Sequence, residues 1–210
     1  VLLMVDSMHG QSKHMLEVKK RINQFSWDMI MSYDLHDCIE YGYTYIGFSY
    51  YSRYDDVAPS HITSDLYYIS SLKGREKILR EINKACSDNG VDYLFKLYSI
   101  WKKVDYCEML RKPLPYAKVL ADVLATNCIL EILPEGQKAQ SLRYLEALCY
   151  NKKLLSNNPD LKNIPFYDAR YMRSFAHVED IDWEWVRRKE EVNYENRPDI
   201  SSAALLNYLF

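Results

Sequence analysis

The sequence predicts an α/β fold built on a parallel, Rossmann-like sheet flanked by helices, and three observations carry that expectation. Short apolar runs alternate with segments of helical period along the whole length, the pattern of repeated strand-helix-strand units. Glycine is scarce, six in 210 residues, and four of the six fall where a helix should stop or a strand should turn into a helix. At 48% apolar and 27% charged residues, the chain has enough apolar material to bury a core in one large or two small domains, which excludes global disorder.

The elements follow in order. Leu2-Leu3-Met4-Val5 reads as a buried strand, 13–23 as a helix, and Met29-Ile30-Met31 as the next strand. Asp34 is placed to cap a helix over 34–41, and Gly42 sits where that helix would end in the left-handed conformation, before a strand over 43–48. Periodicity then lapses in SYYSRYDDVAPSHITS, a polar, tyrosine-rich stretch with Pro59 that suits a crossover or linker. A second series begins with a strand at Leu66-Tyr67-Tyr68-Ile69. It continues with a helix over 76–87 closed by Gly90, a strand over 92–98, and a helix over 116–125 after Pro113 and Pro115. A strand over 128–133, a helix over 141–150 and a strand at Lys153-Leu154-Leu155 follow. The remainder predicts a weak strand over 166–172, an amphipathic helix over 182–188 and an apolar helix over 200–209.

The domain reading is therefore a first α/β unit over 1–50, a linker over 51–64, a second over 65–198, and a C-terminal helix over 199–210 that packs back on the first. The sequence opens at Val1 directly on a strand-like run, so the earlier part of the first unit is expected to be missing.

Charge excludes one class of partner. Lysine plus arginine number 27 against 29 acids, for a net charge of −2, and no basic stripe marks a nucleic-acid binder. No apolar run approaches the roughly 20 residues a membrane-spanning helix needs, and the chain reads as cytoplasmic. Five cysteines without a CxxC spacing suggest neither a disulfide framework nor a zinc knuckle; they read as reduced and mostly buried.

Two loops carry the candidate chemistry. Ile132-Leu133-Pro134-Glu135-Gly136-Gln137 follows a strand and leads to the helix near Ser141. A glycine-containing loop at a helix start offers unpaired backbone N–H groups and the positive end of the dipole, which receive phosphate. Glu146 lies further along that helix, where it could accept bonds from the hydroxyls of a ribose; alternatively it is a solvated residue paired with Arg143. The second loop, Ser70-Ser71-Leu72-Lys73-Gly74-Arg75, offers hydroxyls, a flexible glycine and two cations to a diphosphate, although serine and glycine also occur in such loops for turn geometry alone. In a parallel sheet both loops can converge over one edge.

The stretch NCILEILPEGQKAQSLRYLEALCYNKKLLSNNPDLKNIPFYDARYM resembles the C-terminal core of bacterial capsule and lipopolysaccharide glycosyltransferases of the two-Rossmann-domain (GT-B) type. Those carry a strand, a Gln-Gly or Gly-Gln loop, a T/S-x-R helix with a Glu, a Lys-Lys-Leu-Ile/Leu strand, an Asn pair and a Phe-Tyr-Asn/Asp segment. Upstream, MIMSYDLHDCIEYG resembles the end of that family's first domain, and DLYYISSLKGREKIL the opening of its second. The likeness spans about 27–172. It implies a nucleotide-sugar donor seated between residues 70–75 and 135–146, with Gln137, Ser141 and Arg143 facing the diphosphate and sugar and Glu146 holding the ribose. Glu135 and Gly136 would complete the loop, and Lys73, Arg75 and Arg143 would supply cations. The chain departs from the family at Ala139-Gln140-Ser141, where Gly-Leu-Thr is usual, and at Ser70-Ser71, where a glycine is usual.

The function expected is transfer of a sugar from a nucleoside diphosphate donor to a growing surface glycan or lipid-linked acceptor, with peripheral membrane association and no separate cofactor. No catalytic residue is assigned, because a general base would come from the acceptor-side unit, most of which would precede Val1. The alternative is a noncatalytic nucleotide- or partner-binding module; a dinucleotide enzyme is disfavoured because no strand is followed by GxGxxG.

Several lookalikes are set aside. Asp180-Ile181-Asp182 matches a metal-binding DxD, but Asp182 reads better as a helix cap before Trp183. Consecutive positions in Asp34-Leu35-His36-Asp37-Cys38 diverge around a helix, so they do not make a metal site. His9 and His14 miss the four-residue helical step, Cys149 falls on an apolar helix stripe, and the tyrosines of 41–54 either line a sugar site or cover surface between units.

Overall fold

A computed structural model of the chain describes residues 1–4, 8, 13–51, 53, 61–72, 74–195 and 199–206. The first unit is β1 (Leu2–Met4), α1 (Lys13–Ile22), β2 (Ile30–Ser32), α2 (Leu35–Tyr41) and β3 (Thr44–Tyr45), a parallel sheet in the order β1-β2-β3. The start and stop of α2 are local. Asp34 accepts from the His36 N–H at 2.9 Å, and Gly42 ends the helix with φ of 73°, a conformation that costs glycine little.

The second unit holds β4 (Ser64–Ser71), α3 (Glu76–Asp88), β5 (Tyr93–Tyr98), β6 (Glu108–Leu110), α4 (Tyr116–Leu124), β7 (Thr126–Glu131), α5 (Leu142–Cys149), β8 (Lys153–Ser156), β9 (Met172–Ser174) and α6 (Trp183–Arg187). Its six strands are parallel in the order β6-β5-β4-β7-β8-β9. The chain winds outward from β4 to β6, returns to the centre at β7, and winds outward again. That order is Rossmann-like, and it opens a crevice at the carboxyl ends of β4 and β7, where the winding reverses.

Both faces of this sheet are covered, which explains its apolar strands. On one face Tyr67, Ile129 and Leu154 pack against Leu120 and Val123 of α4 and Leu145 and Leu148 of α5. On the other, Leu66, Tyr68, Phe95 and Leu130 pack against Leu79 and Ile82 of α3 and Trp185 and Val186 of α6. Two adjacent lysines extend this two-sidedness to β8. Lys152 donates to the carbonyls of Leu124 and Thr126 where α4 ends, and Lys153 to those of Trp185, Val186 and Arg188 where α6 ends. A cation suits a helix C-terminus, so the Lys-Lys pair pins one helix on each face.

The elements differ from the sequence expectation at several places. The strand β6 was not anticipated, because three residues between charged and proline-containing segments are too short to show a period. The strand expected over 166–172 begins only at Met172. Phe166 has φ of 69°, and turns close from Tyr167 to Ile164 and from Tyr171 to Asp168, so the segment before β9 is not extended. The strand expected over 43–48 shrinks to β3, with Gly47 at φ of 79°. Of the helix expected over 200–209, α7 (Ser202–Leu205) is present, and 207–210 lie outside the described residues. The Tyr51 N–H donates to the Ile200 carbonyl, tying the segment before α7 to the crossover that follows the first unit. Among the described residues no helix is long and apolar enough to cross a membrane.

The two sheets meet through small, specific contacts. Ala139 packs with Met31, Tyr33 and Ile46 of the first unit. Gln140 Nε2 donates to the Gly47 carbonyl at 3.2 Å, and His36 Nε2 lies 3.1 Å from Asp160 Oδ2.

Candidate functional site

The crevice at the reversal point is a cavity of about 210 Å³, lined among others by Tyr68, Ser70, Arg75, Gln137, Ser141 and Arg143. It does not stand alone. A neighbouring cavity of about 280 Å³ shares Ile69, Ser70 and Arg143 with it and runs toward Leu114 and Tyr116. A third, of about 370 Å³, shares Gln137, Ser141 and Leu142 and runs the other way to Tyr33, Ser49 and Tyr50 of the first unit. Together they form a trench across the carboxyl edge of the large sheet, closed at one end by the carboxyl edge of the small one.

The loop after β7 is held by side chains from β7 itself and from the segment after β8. Asn157 pairs with the Leu133 backbone in both directions, accepting at 2.7 Å and donating at 3.2 Å, and so continues the ladder beyond the last strand residues. Asn158, fully buried, donates to the Lys138 carbonyl at 2.7 Å and accepts from the Asp160 N–H at 2.9 Å. Between these anchors Gly136, with φ of 84°, lets the chain turn toward α5. The Asn pair thus shapes the loop that presents Gln137 to the trench.

The start of α5 is occupied by the protein's own acid. Glu131, at the end of β7 and fully buried, accepts from the Ser141 N–H at 3.0 Å and from the hydroxyls of Ser141 and Ser156. Ser141 in turn caps the helix by accepting from the Arg143 N–H at 3.1 Å. Burial pushes the Glu131 carboxyl above its ordinary range against the pull of those hydrogen bonds. The phosphate-receiving helix start anticipated from sequence has therefore committed two of its donors internally. Sequence reading passed over Glu131, although an acid inside the buried run CILEI is itself a signal, because a buried carboxylate must have a reason.

Arg143 and Glu146 form a second buried assembly. Arg143 lies across the trench with its side chain 13% exposed, and its Nη1 is 2.6 Å from Glu146 Oε2. Glu146 is fully buried and also accepts from the Tyr116 hydroxyl at 2.8 Å. Tyr116 adjoins Tyr51, whose hydroxyl donates to that of Tyr150 at 3.0 Å. Burial raises the Glu146 carboxyl, with Arg143 and Tyr116 opposing. The solvated alternative for Glu146 is excluded, while its pairing with Arg143 is present. A ribose could reach this carboxylate only by displacing Arg143 or Tyr116.

The end of β4 and the loop after it are built differently: Ser70 and Ser71, expected in the loop, are the last two residues of the strand and pair with Leu97 and Tyr98 of β5. Ser70 and Ser71 are half-buried and line the trench. Arg75 bridges the two central strands, donating from Nε to the Ile132 carbonyl at 3.0 Å and from Nη1 to the Ser71 carbonyl at 3.3 Å. Gly74, exposed with φ of 70°, makes the turn, and Lys73 lies outside the described residues. Of the residues singled out from sequence, the trench brings together Ser70, Ser71, Arg75, Gln137, Ser141 and Arg143. Gly74 borders an adjacent apolar hollow beside Tyr98 and Trp101, Glu135 and Gly136 are exposed on the loop, and Glu146 stands behind Arg143.

The lookalikes resolve structurally. Asp182 caps α6, accepting from the Trp185 N–H at 2.9 Å. Asp37 accepts from the Met8 N–H at 2.6 Å. Among the described residues no group of His, Cys, Asp and Glu could hold a metal ion. Cys38, Cys86, Cys128 and Cys149 are buried, and burial pushes the thiols of Cys86 and Cys128 up to about 12, which leaves them poor nucleophiles. The tyrosines divide, since Tyr50 lines the trench while Tyr51 is buried in its hydroxyl cluster. His9 lies outside the described residues.

One group in the trench was not anticipated at all. Tyr68 lines the central cavity, is 2% exposed, and its hydroxyl has no hydrogen-bond partner among the described residues. A buried unpaired hydroxyl costs about 1–3 kcal/mol.

In comparison with known proteins, no family model matches the chain and no curated protein matches it.

Proposed function

We propose that the chain binds a nucleoside diphosphate sugar in the trench and transfers the sugar to a hydroxyl of a growing surface glycan. The observation that carries this reading is the convergence of two parallel sheets: the carboxyl edge of the small sheet, at Tyr33, Ser49 and Tyr50, meets the reversal point of the large one at Gln137 and Ser141. Ligands of such sheets sit at their carboxyl ends, and two facing edges accommodate donor and acceptor side by side. Arg143 and Arg75 bring positive charge to the cavity, where a departing diphosphate would be stabilised, and Tyr50 offers an aromatic face to a sugar. The resemblance of the sequence to capsule and lipopolysaccharide glycosyltransferases supports the same reading and implies a donor on the side of the large sheet.

Uridine, cytidine and guanosine diphosphates, each tested by thermal melting, are expected to include one that raises the melting temperature according to RT ln(1 + [L]/Kd). Ser70→Leu, which fills the cavity from a half-buried position, should remove that shift while leaving the unliganded transition nearly in place. Release of nucleoside diphosphate from sugar donors in the presence of a hydroxyl acceptor then tests transfer. Melting curves unmoved by every diphosphate would overturn the proposal, and binding without release would favour the noncatalytic module.

A further inference from the structure

We infer that the Tyr68 hydroxyl is a ligand-binding group of this trench, donating a hydrogen bond to a phosphate oxygen of the bound nucleoside diphosphate. The inference rests on the proposed donor site and adds to it a residue further inside β4 than Ser70 and Ser71, the last two residues of that strand. Tyr68 stands near the carboxyl end of β4, three residues before its last residue, Ser71. Its ring is fixed, packed edge-on against Phe95 at 6.2 Å between centroids and embedded between β4, α3 and α6. Tyr68 thereby forms a fixed part of the wall of a cavity that Arg75 and Arg143 also line, with its phenolic oxygen buried in that wall.

The surroundings specify what the hydroxyl can meet. Arg75 and Arg143 both act on it electrostatically, Ser70 approaches from two residues along the strand, and Glu131 is the nearby acid. Glu131 is already bonded by Ser141 and Ser156, and no aligned bond from Tyr68 forms to any described residue. An unsatisfied hydroxyl in the wall of a cavity that two arginines also line is matched by an anion that brings acceptors, because the cations favour the charge and the hydroxyl supplies a directed donor. A phenylalanine would fill the same space in the core without the cost of burying an unpaired oxygen. The oxygen therefore has a use only when the cavity is filled.

Tyr68→Phe gives a test in which structure and binding move in opposite directions. Without ligand the variant loses at most a poorly aligned contact with the Ser70 side chain, so its melting temperature should stay close to or exceed that of the wild type. Its affinity for the nucleoside diphosphate that binds the wild type should fall about tenfold, the loss of one hydrogen bond to a charged group, whereas affinity for the corresponding nucleoside should be unchanged. Calorimetric titration of both proteins with uridine, cytidine and guanosine diphosphates and their nucleosides reads all of this. Equal diphosphate affinities in the two proteins, or an equal loss for nucleoside and diphosphate, would overturn the role of Tyr68 and leave the donor site standing. A wild type that binds none of the diphosphates would overturn both.

Discussion

The two loops at the reversal point of the large sheet begin alike, each leaving a central strand, containing a glycine with positive φ and leading to a helix, yet they are finished differently. The loop before α5 is closed onto the protein: Asn157, Asn158 and Glu131 satisfy its backbone, and Ser141 caps the helix. The loop before α3 has no side-chain cap at Arg75, and the two serines that end β4 just before it line the trench. Affinity of a helix start for anions depends on which donors the chain has already spent. A glycine loop before a helix is thus not by itself a phosphate site. The contrast leaves the α5 side committed to internal bonds and makes the β4 side the one where the proposed ligand would find uncommitted groups.

Substitutions can break or sharpen that contrast. The largest effect is expected on the α5 side, from Glu146→Ala. It leaves the Arg143 guanidinium buried without its carboxylate, and loss of one partner of a buried pair costs about 3–5 kcal/mol, measurable as a lower unfolding free energy in urea. A loss near zero would mean that Arg143 swings to solvent and that the pair is not structural.

Glu131→Ala comes next, at about 2–3 kcal/mol, since it orphans donors of Ser141 and Ser156 in a site closed to water. Glu131→Gln should cost far less, because Oε1 accepts both Ser141 donors and the Ser156 hydroxyl can turn to accept. The same pair of proteins has a pH signature. Burial holds the Glu131 carboxyl above its ordinary value of 4.5, so above 4.5 the folded chain keeps a proton that the unfolded chain has released. The stability from this group is complete below 4.5 and is lost as pH rises through the raised value. Glutamine has no such proton to lose, so melting temperatures taken from pH 4.5 upward should shift in favour of Glu131→Gln. Glu146 has the same sign in both proteins and cancels. A difference that is flat with pH would show the carboxyl ionised normally.

The smallest effects belong to the β4 side. Ser70→Ala and Ser71→Ala should each leave unliganded stability within about 0.5 kcal/mol of the wild type. A loss above that would show this loop to be as structurally committed as its counterpart, and the contrast would fail.

Much of this molecule could be read from the chain of residues. The alternation of apolar runs and helical segments located most strands and helices, and Asp34, Gly42 and Gly90 marked helix ends because capping is decided within a few residues. Six of the residues singled out by motif line one trench, since a parallel strand order puts βα loops on a common edge. The short strand β6 escaped notice because its extended backbone is imposed by pairing with β5, not by its own pattern. Glu131 and Tyr68 escaped for a related reason: on a strand buried on both faces every position reads as core, and nothing local says which polar atom will lack a partner.

Periodicity, turn residues and capping determine the elements and their class because they are properties of neighbours along the chain. Tertiary structure alone decided that the order reverses between β4 and β7, that Glu131 rather than a ligand satisfies Ser141 at the start of α5, that Glu146 neutralises Arg143 from behind, and that Tyr68 keeps a donor unspent. Those outcomes depend on which groups from distant segments arrive at the same place after water has been removed, where each polar atom must find a partner or bear the cost of going without.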